Sequence, residues 1–496
     1  GIKHTVASGA QTLANSSMAC QSLILIMPTF LKIEVFMEPI ASSFRDPSGY
    51  LFKRDNLVHR MVNHSYAEDY DCLMSSGLYA KLIANGWMLP HVEQSADDGE
   101  VGYKVIKPEQ LEYVSYPYEW SFSQLKDSAV LTLRIQLLAM EHGMTLKDAS
   151  AYNVQLYQGK PVFIDTLSFE KYAEGLPWIA YRQFCQHFLA PLALIAHRDF
   201  RFVHLLRAYI DGLPLDLTSR VLPKSTWLNY GLLAHVHIHS MSQKHYADEG
   251  RDSGGARKME IGRRQLQGLI ESLLSTVSKL LWQPPATEWG DYYNDTNYVD
   301  ESMKNKEALV EQFLNQTASD TGMAADFGAN TGKFSRLAAK AGYRVLAHDI
   351  DEVAVEKNYR QMVATGEQNI YPLLLDLTNP SPGLGWANEE RDSLVDRANL
   401  DVGLALALIH HIAISNNVPL SRAAKFFSTV CEQLIIEFVP KSDSQVKRLL
   451  ATREDVFPDY NNEGFELAFC KYFEIREAVE IPGTDRRLYL MARLVD

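Results

Sequence analysis

A chain of 496 residues, 46% hydrophobic and 22% charged, is longer than one hydrophobic core usually organises and too apolar to be disordered or fibrous, so two domains are expected. Acidic residues outnumber basic ones 61 to 48, giving a net charge of −13 and an isoelectric point near 5.6, which argues against non-specific attraction to nucleic acid or anionic lipid. Cys20, Cys72, Cys185, Cys431 and Cys470 lie far apart, with no CxxC pair and no zinc spacing, and read as reduced thiols of a cytoplasmic protein.

Along the chain, the apolar run from Leu23 to Leu31 contains Pro28 and Thr29; it is about half the length a membrane span needs and lacks the flanks of a secretory signal. Residues 1–48 read as a tail in which Met37 fits an initiator, with 1–36 poorly ordered. Between 50 and 114, short apolar runs alternate with polar turns, which predicts mixed strands and a helix over 67–83. Leu125, Val130, Leu133, Ile135, Leu137, Leu138 and Met140 form the stripe of an amphipathic helix over 123–142, followed by a polar loop and a strand at 161–165. Residues 175–240, rich in Leu, Ala, His and aromatics, predict a helical region. The charged, glycine-containing stretch 242–264 reads as an exposed loop. A helix over 265–282 stops at Pro284-Pro285, the natural domain boundary.

Beyond that boundary, strands at 324–327, 344–348, 370–375, 402–408, 434–438, 473–475 and 488–494 are interleaved with helices at 333–341, 353–365, 420–430 and 444–452. Strands spaced by helices predict a doubly wound α/β sheet, and the last two strands supply an antiparallel edge.

The strongest local signal is Met323-Ala-Ala-Asp326-Phe-Gly328-Ala-Asn330-Thr-Gly332, an apolar strand running into glycines that open a helix. Glycine admits a ligand close to the backbone, and the following helix start offers N–H groups to a carboxylate. The spacing fits neither the G-x-G-x-x-G of a dinucleotide site nor a P-loop. It resembles the D-x-G-x-x-x-G motif of class I S-adenosylmethionine-dependent methyltransferases, in which Asp326, Gly328 and Gly332, with Asn330 between, would hold the methionine part of the cofactor. That resemblance implies further that Asp349, ending Val345-Leu-Ala-His-Asp349, receives the ribose hydroxyls, with Asp351 as fallback. It implies too that Asp376, in Leu373-Leu-Leu-Asp376, contacts the adenine amino group. After the fourth strand come His410 and His411, candidate catalytic bases near neutral pKa, with Glu437 a polar group at the same rim. Trp386 is a candidate adenine wall for which packing is the stronger reading. Asn297, Tyr298 and Asp300, with Lys304 and Lys306, lie where a lid is expected. The Asn/Asp-Pro-Pro-Tyr/Phe tetrapeptide of many base methylases is absent from the sequence.

Earlier in the chain, Asp148, Asn153 and Asp165 resemble the catalytic loop and metal-binding strand of the protein kinase and aminoglycoside phosphotransferase superfamily. The resemblance implies that Asn153 and Asp165 would hold Mg2+, with Asp148 nearby. It departs from that family in lacking a glycine-rich loop, in having Thr166-Leu167 for Phe-Gly, and in lacking a clear strand lysine, for which Arg60 or Lys53 would stand in, with Glu68 as helix partner.

The expected architecture is therefore a tail (1–48), a mixed α+β, largely helical kinase-like domain (49–284) and a Rossmann-like, seven-stranded methyltransferase domain (285–496). The whole also resembles bacterial methyltransferases, some of them nodulation-related. The activity implied is methyl transfer from S-adenosylmethionine to a small-molecule or protein acceptor, with the first domain recognising substrate; nucleic acid and membrane are not expected partners. The alternatives are a bifunctional kinase–methyltransferase and a non-catalytic cofactor-binding scaffold.

Overall fold

Asp55 and Asn56, both left-handed, turn the chain between β1 (Gly49–Arg54) and β2 (Leu57–Val62), because their short polar side chains tolerate positive φ in a two-residue hairpin. With β3 (His91–Gln94) and β4 (Lys104–Pro108) they form a four-stranded antiparallel sheet in the order β1-β2-β4-β3. The computed structural model describes residues 40–94, 102–241, 260–285, 300–317, 322–451 and 453–494. Cys20, Met37, the run 23–31, Asn297, Tyr298 and most of the loop expected at 242–264 lie outside them.

The helix expected over 67–83 is two helices, α1 (Ala67–Ser75) and α2 (Leu78–Ala84), broken at Gly77, whose φ of +81° is left-handed. The helix α3 (Phe122–Glu141) begins where Ser121 and Gln124 form a capping box, satisfying two otherwise orphaned N–H groups. Gln158 and Gly159, again at positive φ, close the hairpin of β6 (Val154–Tyr157) and β7 (Lys160–Phe163), while β5 (Met144–Leu146) pairs with β8 (Phe169–Lys171). Short helical segments follow between Tyr181 and Met241, and α4 (Arg263–Lys279) then packs on α3.

The second half opens with α5 (Asp300–Gln316) and alternates β9 (Met323–Phe327), α6 (Lys333–Lys340), β10 (Arg344–Asp349), α7 (Glu352–Thr365), β11 (Ile370–Leu374) and β12 (Leu400–Ala405). Then come α8 (Leu420–Val430), β13 (Cys431–Phe438), α9 (Ser444–Leu450), α10 (Asn462–Phe469), β14 (Phe473–Glu480) and β15 (Arg487–Arg493). The seven strands order as β11-β10-β9-β12-β13-β15-β14, parallel through β13 and antiparallel at β15. This is a doubly wound sheet whose order reverses between β9 and β12, so the carboxyl ends of those strands face a crevice suited to a ligand. β15 inserts between β13 and β14, so the edge strand is β14, in which buried and exposed residues alternate.

One apolar cluster runs from Leu73 through α3 to Tyr489 and Met491, so residues before and after 285 share a core. Polar bonds cross it as well: Ser123 donates from N and Oγ to Glu356, Gln124 Nε2 to the Pro372 carbonyl, and Tyr359 Oη to Asp127. Among the described residues no helix is long and apolar enough to cross a membrane.

Candidate functional site

A cavity of about 370 Å³ opens at the carboxyl ends of β9, β10 and β12, within the range of small-ligand sites. Three carboxylates, Asp326, Asp349 and Asp376, line it with Gly328 and Asn330. Each acid ends or follows a parallel strand, and the register sets Ala347 beside Asp326 and Asp349 beside Leu374, so the strand ends bring the three acids to one edge.

The loop after β9 is shaped by its backbone. Gly328 sits at φ +81° and Asn330 at +51°, and the N–H groups of Gly328 and Ala329 both donate to the His348 carbonyl at 2.9 and 2.8 Å. A Cβ on Gly328 would meet only Leu408, at 3.4 Å, and Leu408 itself lines the cavity, so the missing side chain faces the ligand space. Gly332 is different. It does not line the cavity, and a Cβ there would strike Arg336 and Asn358 at 2.5 Å; its role is to start α6 against those side chains.

Asp349 is buried, and burial pushes its carboxyl up to about 6 against the N–H groups of Asp351 and Asn330, which donate to Oδ1 at 2.8 Å and Oδ2 at 2.7 Å. Each carboxylate oxygen accepts more than one bond, so the group is held in place with acceptor capacity toward the cavity. The fallback residue Asp351 caps α7 through Val353 N and Ala354 N and does not line the cavity. Asp326 is likewise pushed up to about 6 by burial, while Ser335 Oγ donates to it at 2.7 Å. Asp376 is half-buried, with Thr378 donating to its Oδ1 from both N and Oγ1.

The two histidines separate. His411 lines the cavity, whereas His410 is buried, its Nδ1 has no partner among the described residues, and burial holds its pKa well below the usual value. The rings lie 4.2 Å apart, so His410 backs the residue that faces the ligand space rather than sharing its position. Trp386 is 72% exposed and does not line the cavity; its backbone N–H donates to Glu390.

Glu437 is not at the rim. It is fully buried, accepting Lys306 at 2.5 Å and Arg486 at 3.0 Å, and Arg486 also reaches Asp443. Lys306, from α5, lines the cavity with Met303 and Phe334. Sequence reasoning placed Lys306 in a lid segment without giving it a role; its helical offset of three from Met303, on one face of α5, was the available signal. His204 and Arg207, near the opposite rim, carried no sequence signal: His204 lies close to Asp376, and Arg207 Nη1 donates to the Asn379 carbonyl.

Away from this cavity, Asp148, Asn153 and Asp165 come together, with Asn153 bonded to Asp148 and the Asp165 charge raising the Asp148 pKa after burial has done most of it. Asp165 is already engaged. Arg60 Nη1 reaches its Oδ1 at 2.6 Å, Leu167 N donates to the same oxygen, and Ser168 Oγ donates to Oδ2. Of the two stand-in cations it is thus Arg60 that enters; Lys53 is exposed, and Glu68 pairs with Lys171 rather than with Arg60. Among the described residues no three His, Cys, Asp or Glu side chains gather at metal-binding spacing, and Asp165 is paired with a guanidinium, so the magnesium expectation finds no support.

No family model matches the chain. Among solved structures, it is similar to magnesium protoporphyrin IX methyltransferase (ChlM) from Synechocystis PCC 6803, with bound SAH, at 17% identity over 41% of this chain and 91% of that one, with a TM-score of 0.29. It is also similar to the N-methyltransferase NodS from Bradyrhizobium japonicum WM9, at 10% identity over 40% and 98%, TM-score 0.29, and to the bifunctional kinase-methyltransferase WbdD, at 12% over 39% and 40%, TM-score 0.27. Nodulation protein NoeA of Rhizobium meliloti (strain 1021) is 33% identical over 462 residues, 92% of this chain and 96% of that protein. A likeness of that degree, running through both halves, shows that the chain belongs to the NoeA family.

Proposed function

We propose that the chain transfers a methyl group from S-adenosylmethionine to a small-molecule or protein acceptor. The observation that carries this reading is the set of acids and the left-handed glycine turn on one cavity. Asp349, buried and held by two N–H groups, takes the ribose hydroxyls in this reading, Asp376 the adenine amino group, and the space beside Gly328 the methionine part; their shared cavity and the positive φ of Gly328 support it. These residues fit the cofactor, which supplies an electrophilic methyl on a sulfonium. The protein's part is to align the acceptor with that methyl and to exclude water. His411, facing the cavity, takes the proton from an oxygen or nitrogen acceptor.

Residues 49–284 act in this reading as a substrate-recognising domain with a kinase-like arrangement of Asp148, Asn153 and Asp165, in which Arg60 supplies the charge a metal would bring. The unpaired Cys72, Cys185, Cys431 and Cys470 accord with a cytoplasmic setting. The test is calorimetric titration with S-adenosylmethionine and S-adenosylhomocysteine, followed by transfer of labelled methyl into a metabolite and protein extract. Binding with labelled product is expected; no binding of either nucleoside refutes the reading.

A further inference from the structure

Among the described residues lining the cavity, Lys306 is the one Lys or Arg, against three aspartates. Its side chain is 3% exposed, a costly position for an ammonium unless it is paired and fixed. The pairing is extensive. Glu437 at the end of β13 accepts it at 2.5 Å, Arg486 in the β14–β15 turn shares that carboxylate, Asp443 holds Arg486, and the Phe334 ring lies 4.8 Å from the ammonium. The two cations and two carboxylates balance, so the network keeps the ammonium at the cavity wall instead of letting it swing into solvent. A merely structural ion pair has no need to face a ligand space, and this one does.

Position along the cavity says what it faces. Asp376 follows β11 and Asp349 ends β10, whereas Lys306 pairs with Glu437 on β13, three strands along the sheet from β10, and packs by Phe334; Asp349 and Asp376 are the acids the cofactor reading gives to the nucleoside. On the reading that the cavity holds S-adenosylmethionine, the nucleoside end leaves the amino-acid part beside Lys306 and Asp326. A buried cation repels a sulfonium and attracts a carboxylate, so only the carboxylate end of that ligand is compatible with it.

We propose that Lys306 receives the carboxylate of the cofactor's amino-acid part, with Glu437 and Arg486 as the residues that position it, and that it sets the site's preference for nucleosides carrying that carboxylate. The test compares two probes on the full chain by calorimetry: S-adenosylhomocysteine, and 5′-methylthioadenosine, which keeps the thioether nucleoside and lacks the amino-acid end. The wild type prefers S-adenosylhomocysteine. Lys306→Met weakens that ligand roughly 10- to 100-fold, the span of one charge-assisted hydrogen bond, and leaves 5′-methylthioadenosine within about twofold. Arg486 still pairs with Glu437 in this variant, and Lys306→Arg, which keeps the charge, retains the preference and checks that the helix stays seated. Equal weakening of both probes, unchanged S-adenosylhomocysteine affinity, or a wild type without preference overturns the proposal while leaving the cofactor reading intact. A wild type that binds neither probe overturns both.

Discussion

Replacing Asp349 by Ala tests the cofactor site most directly, because the structure assigns this carboxylate two jobs that pull stability in opposite directions. It accepts Asn330 N at 2.7 Å and Asp351 N at 2.8 Å; leaving two buried N–H groups unsatisfied costs about 1–3 kcal/mol each. Against that, burial has raised its carboxyl from 3.8 to about 6, and removing a charge so disfavoured returns roughly 3 kcal/mol at neutral pH. The two terms nearly offset, so the melting temperature is expected to move by only a few degrees. Ligand affinity has no such offset. On the proposed reading, in which Asp349 accepts two ribose hydroxyls, its loss costs about 2–4 kcal/mol, or about 30- to 1,000-fold in Kd for S-adenosylhomocysteine. Titration calorimetry and thermal melting on the same preparation separate the two. Unchanged affinity refutes the assignment, and collapse of the fold refutes the balance.

Gly328→Val places a branched side chain at φ +81° beside Leu408, a strain of about 1–3 kcal/mol, and fills the ligand space; S-adenosylhomocysteine binding is expected to vanish in a protein that still melts cooperatively, and normal binding would move the site elsewhere. His411→Ala should slow transfer about 10²- to 10⁴-fold with the acceptor found in extract, at unchanged S-adenosylhomocysteine affinity, whereas His410→Leu, behind it, should shift stability more than rate; the reverse pattern would exchange their roles. Asp326 ionises in the unfolded chain near 3.8 and in the folded one near 6, so the folded state holds a proton the unfolded state has released, and stability falls as pH rises across that window. The stability gain of Asp326→Asn over wild type, read by chemical denaturation across pH, should therefore grow between pH 4 and 6, by up to about 3 kcal/mol, and level off above; a gain independent of pH would mean that the carboxyl titrates normally.

That Asp326, Asp349 and Asp376 share one edge was legible because each is local to a strand end. Asp326, Asp349 and Asp376 follow apolar runs whose length and spacing fix where the strand stops, and a parallel sheet then aligns those ends. Elements whose character depends on neighbours were harder. Residues 462–469 drew no expectation, yet Asn461 caps a helix there through Gly464 N, with Gly464 packed so closely on the Asp459 carbonyl that a Cβ would lie 2.1 Å from it. β14 was read as three residues, although it runs to Glu480, because charged side chains alternate along an edge strand that pairs on one side. His410 and His411 are neighbours in sequence and differ in what they face, which a strand-end motif alone does not resolve.

Ion pairs across long sequence separations had no periodic signature, and they decide how the two halves bear on one site. Arg397 and Glu119 are both almost fully buried and joined at 2.5 Å, Ser381 donates to the same carboxylate, and Arg397 lies over the Tyr116 ring at 4.3 Å. Such a pair adds little net stability, since two desolvated charges cost nearly what their attraction returns, but removing one partner leaves the other stranded at about 3–5 kcal/mol. Both Ser381 and Arg397 belong to the segment between β11 and β12, the same segment that carries Asp376 into the cavity. Arg207 grips it again at the Asn379 carbonyl. The N-terminal half thus holds the segment that carries Asp376 into the cavity, which gives residues outside the parallel strands a physical route to the geometry of the cavity.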